Sequence, residues 1–537
     1  MLLRFFRTIV GLLALRSAYT CAVLDTRDAW PTIQLDNGTF IGKAFGNVTQ
    51  FLGIPFAQPP CPQQATPFAI SPELPPETVR YLETVSSGIT TFDSEDCLTI
   101  NVIKPTNSAA DAQLPVLFGS CPINSELRAH KLIFDDTYSI FLELRNSSDA
   151  RPIVERSIEI GEPIVYVSLN YRVNAFGFLA SEEVKAAGVG NLGLYDQREA
   201  LRWVQKYITA FGGDPEKVTI YGISAGSVSV ALQMLTDGGD VEGLFRAGVM
   251  ESGSPTPVGD ILHGQQYYDT LVEQTACSSA SDTLECLRQA PYDQLKAAVD
   301  QTPAFTLYKS LNLAWMPRVD GVFLKDHPQR LVEQGSVAQL PMINGDTDDE
   351  GTLFTVFNLN TTTNYQTHDY IKEIYLPNAT PAELDRVLTL YLDDVTDGSP
   401  FDTGDANAVT PEFKRLAAFQ GDLFFQAPRR FFLQQQSGKQ DTWSYLSKRS
   451  KSLPVLGSCH SPETPSFWGP GDMTDYLIRF VAHLDPNGGT SVSWPKYTPA
   501  SPELLTLWDG SASNVTKDTF REGQLDYLTQ LFMKHLL

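Results

Sequence analysis

Apolar and polar positions along the chain follow two alternating patterns. Short runs rich in β-branched and aromatic residues predict strands, and the segments between them place apolar residues at helical spacing. Strands that alternate with helices predict an α/β protein whose mainly parallel sheet is covered on both faces, with its functional residues at the carboxyl ends of the strands. The predicted strands are 98–103, 115–118, 163–169, 218–221, 248–250, 340–344 and 442–446, and the clearest helical patterns are 196–211 and 410–436.

One segment combines a predicted strand, a tight turn and a predicted helix. Residues 222–226 read Gly-Ile-Ser-Ala-Gly between the strand 218–221 and a helix predicted over 227–235. This G-x-S-x-G context is typical of a nucleophile elbow, in which a strained turn projects the serine Oγ above the sheet. The pentapeptide alone is a common coincidence in a chain with 38 glycines, so the flanking elements carry the prediction that Ser224 is a nucleophile.

A serine nucleophile needs a base, and in the α/β-hydrolase order the acid and the histidine both follow the serine. His460 follows the strand-like run 453–459 and opens a proline-containing loop, so we predict that it is the base. Other histidines precede the acid, or lie in a helical run, in a polar stretch or close to the end: His130, His263, His368, His483 and His535.

Four carboxylates follow the predicted strand 340–344. A buried carboxylate at a strand end can orient the imidazole and stabilise the imidazolium. The alternative is a helix cap or a solvated acidic turn, which suits Asp346 and Asp348. Glu350, which precedes Gly351, is the predicted catalytic acid.

Composition and charge narrow the class of protein. The formal net charge of −23 and the pI near 4.7 disfavour nucleic acid and anionic membranes as partners. Arg4 and Arg7, the apolar run 9–15 and small residues after it predict a signal peptide over 1–22, with a buried N-terminal helix as the less favoured alternative. We therefore expect a secreted chain with a single domain over 23–537 and no transmembrane segment. No C-x-x-C or H-E-x-x-H motif occurs, so we expect no metal and no cofactor.

Six motifs follow one another along the chain: SEDCLTINV at 94–102, NYRVNAFGFLA at 170–180, NLGLYDQREALRWV at 191–204, FGGDPEKVTIYGISAGSVSV at 211–230, DDEGTLF at 348–354 and LPVLGSCHS at 453–461. Together they resemble the type B carboxylesterase/lipase family of α/β hydrolases, in particular its secreted fungal branch. The resemblance covers nearly all of residues 28–537. It implies an α/β-hydrolase fold and the hydrolysis of a small-molecule or lipid ester through an acyl-enzyme, with Ser224 as nucleophile, Glu350 as acid and His460 as base.

The same resemblance implies two disulfides and a lid. Cys277 matches one partner of a family disulfide and Cys286 the other, and oxidising export and a short loop favour this pair independently. Cys61 and Cys97 match the second pair. The segment 61–97 between them matches an amphipathic lid that contacts the lipid interface. N-x-S/T sequons also fit an exported glycoprotein and occur at Asn37, Asn47, Asn146, Asn360, Asn378 and Asn514.

Three departures from the family concern catalysis. No glycine-rich oxyanion turn follows 115–118, and residues 119–151 do not resemble the family. About 25 family residues are missing before Cys61, and Ile223 stands where the family usually has glutamate. With the Ala225 N–H as the expected oxyanion donor, each missing donor costs about 3 kcal/mol of transition-state stabilisation. The chain is then a slow esterase, a non-catalytic binding protein on the same scaffold, or a polypeptide translated across a misplaced exon boundary.

Overall fold

The structure, a computed structural model, describes residues 30–57, 69–88, 98–120, 150–489 and 492–535. The predicted signal peptide 1–22 lies outside the described residues. The two cysteines of the predicted Cys61–Cys97 pair and the segment 121–149 also lie outside them, so that disulfide stays a prediction.

Within the described residues, eleven strands form one sheet in the order β13-β12-β11-β10-β9-β8-β6-β7-β5-β4-β3, and β1 and β2 form a separate antiparallel pair. Pairing is parallel from β7 through β6 and β8 to β12 and antiparallel toward both edges. The strands are β1 Thr32–Leu35, β2 Gly38–Ile41, β3 Lys43–Phe45, β4 Val48–Pro55, β5 Thr99–Pro105, β6 Leu114–Ser120, β7 Val165–Leu169, β8 Gly213–Ile223, β9 Ala247–Glu251, β10 Met342–Thr347, β11 Thr442–Ser447, β12 Glu503–Leu507 and β13 Asn514–Lys517. The prediction of a mainly parallel sheet is confirmed.

Helices connect the strands. Short 3₁₀ turns at Ile208–Phe211, Thr236–Gly239 and Ile261–Gly264 and π-helical turns at Ile371–Tyr375 and Asp422–Gln426 extend or join them. The α-helices of the described residues are α1 Pro76–Gly88, α2 Arg151–Glu159, α3 Asn174–Phe178, α4 Glu182–Ala187, α5 Leu192–Tyr207, α6 Ala225–Leu235, α7 Gln265–Gln274, α8 Thr283–Gln289, α9 Tyr292–Val299, α10 Pro328–Glu333, α11 Thr352–Thr355, α12 Asn364–Tyr370, α13 Pro381–Leu390, α14 Phe413–Gly421, α15 Ala427–Gln436, α16 Pro465–Trp468, α17 Asp472–His483 and α18 Glu522–Lys534.

Alternate residues of the central strands enter two different hydrophobic clusters. Val116 and Phe118 of β6 pack in the cluster that includes residues of α5 and α6, whereas Leu117 packs in the cluster that includes residues of α2 and α17. Because successive side chains of a strand point to opposite faces, the two clusters lie on the two faces of the sheet. The continuous apolar runs in the sequence reflect this two-sided burial.

Two predicted elements differ in the structure. The run 453–459 is a series of turns rather than a strand: Pro454 lacks an N–H, and Val455 and Gly457 have φ of 68° and 58°. Its apolar side chains, including Leu456, are buried against residues of α1 and α11. The helical pattern predicted over 410–436 begins at Phe413 and passes through the π-turn into α15.

The structure pairs Cys277 with Cys286, with an S–S distance of 2.04 Å, next to α7 and α8. Cys459 is a buried free thiol. In the part of the chain that the structure describes, no helix has the length and apolar character of a membrane span, and no group of three or more histidine, cysteine or acidic side chains could hold a metal ion.

Candidate active site

Ser224 lies in a strained turn between β8 and α6. Its φ of 54° and ψ of −122° are sparsely populated for a residue with a side chain, and its N–H donates to the Glu251 carbonyl at 2.9 Å. A Cβ added at Gly222 would lie 2.2 Å from the Gly226 backbone, so a side chain there would force the strand and the helix apart. The sequence therefore folds locally as the elbow that its motif predicts.

His460 reaches Ser224 from the turns that follow β11. Its Nε2 lies 2.7 Å from Ser224 Oγ, and its Nδ1 lies 2.6 Å from Glu350 Oε2. The histidine is 5% exposed, whereas Ser224 is half-buried. The three predicted residues are thus joined in one line of hydrogen bonds, with the serine at its accessible end.

Glu350 lies three residues beyond β10 and is 1% exposed. Its Oε1 accepts hydrogen bonds from the Thr347 N–H and the Ser252 hydroxyl, both at 2.7 Å, which leaves Oε2 for His460. A Cβ at Gly351 would lie 2.0 Å from the Ala417 carbonyl oxygen. The glycine after the acid therefore allows this turn to pack directly on α14.

The neighbouring acids form buried ion pairs, so their interpretation as a helix cap or a solvated turn is wrong. Asp346 lies within β10 and pairs with Arg429 at 3.2 Å. Asp348 pairs with Lys451 at 2.5 Å. Asp346 is 0% exposed and Asp348 is 3% exposed, because cations from distant parts of the chain replace water around them.

Asp349 joins the turn of Glu350 to the turns of His460. Its N–H donates to the Ser458 carbonyl at 2.9 Å, and its Oδ2 accepts from the Ser458 N–H at 2.8 Å and from Lys451 at 2.7 Å. Burial and, to a smaller extent, Asp348 raise the pKa of Asp349 to about 6, against the opposing effect of Lys451. These bonds fix the separation of the predicted acid and base.

Two aromatic rings flank His460. The centroid of Phe354 lies 5.1 Å from the imidazole centroid and that of Phe425 lies 4.9 Å from it. The two phenyl rings are stacked on each other with centroids 5.9 Å apart. Packing and the hydrogen bond from Nδ1 together restrict the orientation of the imidazole.

The environment is different on the oxyanion side of Ser224, which is the side where the negatively charged oxygen of the tetrahedral intermediate would lie. Ala225 is the first residue of α6, so its N–H has no partner within the helix and lies at the positive end of the helix dipole. Ala225 is exposed. β6 ends beside it, with Ser120 opposite Gly222 in the sheet, and the chain then enters residues outside the described part. Within the described residues, we therefore assign the Ala225 N–H as the expected donor to the oxyanion.

The Carboxylesterase family model matches residues 29–527, which include all three residues of this hydrogen-bonded line. The chain belongs to the carboxylesterase family. Membership of this family identifies it as a carboxylic ester hydrolase.

Similar proteins agree in fold and in chemistry. Lipase 4 of Diutina rugosa is 39% identical, over 93% of this chain and 96% of the relative. The secreted triacylglycerol lipase of Gibberella zeae is 36% identical, over 94% of this chain and 91% of the relative. The crystal structure of Aspergillus niger EstA superposes with a TM-score of 0.73 at 26% identity, covering 95% of this chain and 100% of that chain. The fold is that of an α/β hydrolase, and these relatives do not favour a non-catalytic binding protein.

Two side chains next to Glu350, Ser252 and Glu463, are not among the residues that the sequence predicts for the carboxylesterase site. Ser252 is the first residue after β9, so the rule that functional residues follow strands could have identified it. No comparable signal marks Glu463, which contacts Ser252 from a part of the chain 211 residues away. His327 has a structural role away from this site: its Nδ1 bonds the Val258 carbonyl at 2.8 Å, and burial lowers its pKa.

Proposed function

We propose that this carboxylesterase hydrolyses its ester through a Ser224, His460 and Glu350 triad and an acyl-enzyme intermediate. The observation that carries the proposal is the continuous line Ser224 Oγ, His460 Nε2, His460 Nδ1 and Glu350 Oε2, with contacts of 2.7 and 2.6 Å. A nucleophile within hydrogen-bond reach of a base that a third group orients is the arrangement required for serine hydrolysis.

In the acylation step, Ser224 Oγ attacks the ester carbonyl carbon while His460 Nε2 removes its proton. Glu350 remains ionised and stabilises the imidazolium that forms. His460 then gives the proton to the leaving alkoxide, the C–O bond breaks, and the acyl group stays on Ser224. In deacylation, water attacks the acyl carbon while His460 takes its proton. His460 then returns the proton to Ser224 Oγ as the bond between Oγ and the acyl carbon breaks, and the carboxylic acid leaves.

Negative charge develops on the carbonyl oxygen in both tetrahedral intermediates. The Ala225 N–H at the start of α6 is the donor that we assign to it, since the backbone and the helix dipole favour an anion there. A second donor would have to come from the segment after β6. We therefore propose slower turnover than a family member with a glycine-rich turn, by about a hundredfold for each donor that is absent.

The relatives and α1 support a proposal for the location and the substrate class. Two relatives are named as secreted lipases, from Gibberella zeae and from Botryotinia fuckeliana. We propose that this chain is likewise exported after loss of residues 1–22 and acts on a lipid or small-molecule ester. α1 belongs to the predicted lid 61–97, and Thr78 on it donates to the Pro454 carbonyl at 2.7 Å, six residues before His460. This contact supports a lid that is docked beside the base.

Covalent labelling with a fluorophosphonate probe tests the nucleophile. We expect one equivalent of probe on Ser224 of the purified chain, and no labelling and no p-nitrophenyl butyrate hydrolysis after Ser224→Ala. Ser227→Ala is the matched control, because this serine lies in the same helix but donates its hydroxyl to the Gly253 carbonyl at 2.8 Å. Equal labelling of the Ser224→Ala variant would refute the assignment.

A further inference from the structure

The Ser252 hydroxyl lies between two carboxyl groups. Its Oγ is 2.7 Å from Glu350 Oε1 and 3.2 Å from Glu463 Oε1. Ser252 is 0% exposed and Glu463 is 1% exposed, so bulk solvent does not reach these contacts. A serine hydroxyl has one proton to donate. If both carboxyl groups were ionised, one of the two contacts would join two oxygens without a hydrogen between them.

The hydrogen bonds of the two carboxyl groups decide where the additional proton lies. Glu350 accepts from the Thr347 N–H and bonds His460 Nδ1, which is the donor set of an anion. Glu463 Oε2 receives no hydrogen bond from any other residue of the described chain. An unpaired buried oxygen costs far less on a neutral acid than on a carboxylate. The consistent arrangement is that Glu463 Oε1–H donates to Ser252, and Ser252 donates to Glu350.

The electrostatic surroundings of Glu463 favour the same arrangement. Burial raises its pKa well above the ordinary value, and Glu251 and Glu350 raise it further. Glu251 itself has a pKa raised to about 8, mainly by burial. Other titratable groups that interact electrostatically with Glu463 come from α1, from β11 and from the turns before His460: Tyr81, Tyr445 and Cys459.

We propose that Glu463 is a positioning residue that keeps its proton at neutral pH and acts through Ser252 to hold Glu350 Oε2 toward His460. The inference rests on the proposed triad. It adds two successive hydrogen bonds, in which Glu463 donates to Ser252 and Ser252 donates to Glu350. It also explains how a second acid can lie behind Glu350 without adding a second negative charge next to the imidazole.

Infrared difference spectroscopy tests the proton without reference to activity. We expect the spectrum of the unmodified chain minus that of Glu463→Gln, at pH 7, to contain the carbonyl stretch of a protonated carboxyl group. Glu216→Gln is the control, because Glu216 is exposed and its difference spectrum should contain carboxylate bands alone. Carboxylate bands for Glu463 at pH 7 would overturn the proposal, whereas failure of the triad assignment would leave this result unchanged.

Kinetics test the positioning role. We expect Ser252→Ala to lower kcat about tenfold with KM within about twofold, because one hydrogen bond to Glu350 is lost. Glu463→Gln should lower kcat less than Ser252→Ala does and should not move the acidic midpoint of the pH profile, since its amide N–H can still donate to Ser252. An unchanged kcat in Ser252→Ala, or a shift of the acidic midpoint in Glu463→Gln by a full pH unit, would contradict the proposal.

Discussion

The two sides of Ser224 are built differently. On the acid-base side, His460 and Glu350 are almost completely buried and are hydrogen-bonded to each other, with Ser252 and Thr347 donating to Glu350. On the oxyanion side, the described residues offer the N–H of Ala225 at the exposed end of a helix. Within the described residues, the groups proposed for proton transfer are therefore held by several hydrogen bonds, whereas the developing negative charge has the Ala225 N–H as its expected donor.

This difference allows two contributions to catalysis that are usually present together to be measured separately. Activation of the nucleophile depends on the alignment of serine, histidine and acid, whereas stabilisation of the tetrahedral intermediate depends on backbone donors. In serine hydrolases, oxyanion and binding contributions persist when the triad is disabled. This carboxylesterase presents the converse case for experiment, because its proposed triad is joined by hydrogen bonds, whereas the described residues offer the Ala225 N–H as the expected oxyanion donor.

Disabling the acid should have the largest effect in this comparison. Glu350→Gln keeps the shape of the side chain but removes the negative charge that stabilises the imidazolium, and we expect kcat to fall by about 10³- to 10⁴-fold. Steady-state hydrolysis of p-nitrophenyl butyrate measures this fall. The control is Asp402→Asn, which changes an acid that is 72% exposed and pairs with Lys448. A loss of less than tenfold in Glu350→Gln would mean that the acid-base side is not what limits the rate.

Restoring donors to the other side should have the next largest effect, in the opposite direction. A Gly-Gly-Gly-Phe turn in place of the residues that follow Phe118 would supply backbone N–H groups at the end of β6, and we expect kcat to rise about a hundredfold or more. The same graft combined with Ser224→Ala should remain inactive. Family-like turnover by the unmodified chain, with no gain from the graft, would show that another loop already supplies the donors.

The sequence predicted those parts of the site that local geometry determines. Gly222 is required where strand and helix approach each other around Ser224, and Gly351 is required where the turn of Glu350 meets α14. Such requirements place glycine at fixed spacing from the serine and from the acid in the sequence. Strands and helices also alternate along the chain, and this alternation is visible in the sequence as the pattern that predicts the mainly parallel sheet.

The remainder depends on contacts between distant residues, which no local pattern records. Lys451 neutralises Asp349 across 102 residues, so the acidic cluster could not be distinguished from a solvated turn by its composition. The run 453–459 has the apolar content of a strand, but Pro454 and the positive φ at Val455 and Gly457 turn it toward α1 and α11. The structure brings His460 Nε2 to 2.7 Å from Ser224 Oγ, although the run 453–459 before it is a series of turns rather than the predicted strand, and its role as the base stays a prediction.

The smallest expected effect is on stability rather than on rate, and it concerns the free energy of unfolding contributed by a buried acid on the acid-base side. Glu251 accepts a hydrogen bond from Tyr221, and burial raises its pKa to about 8, above the ordinary value of 4.5. Between these two pH values the folded chain holds a proton that the unfolded chain releases, so this group destabilises the fold as pH rises, by up to about 1.4 kcal/mol per pH unit.

Replacing Glu251 with glutamine removes this proton linkage but keeps an acceptor for Tyr221 and a polar group beside Thr464, whose hydroxyl lies 3.2 Å from Glu251 Oε1. Urea denaturation from pH 5 to 8 should therefore show Glu251→Gln becoming more stable than the unmodified chain as pH rises, by a few kcal/mol at pH 8. Exposed Glu216→Gln should follow the unmodified chain throughout. Parallel pH dependences for Glu251→Gln and the unmodified chain would mean that Glu251 is already ionised at neutral pH. The acid-base side would then carry a second buried negative charge behind the triad, and its contrast with the oxyanion side would lie in hydrogen bonding alone.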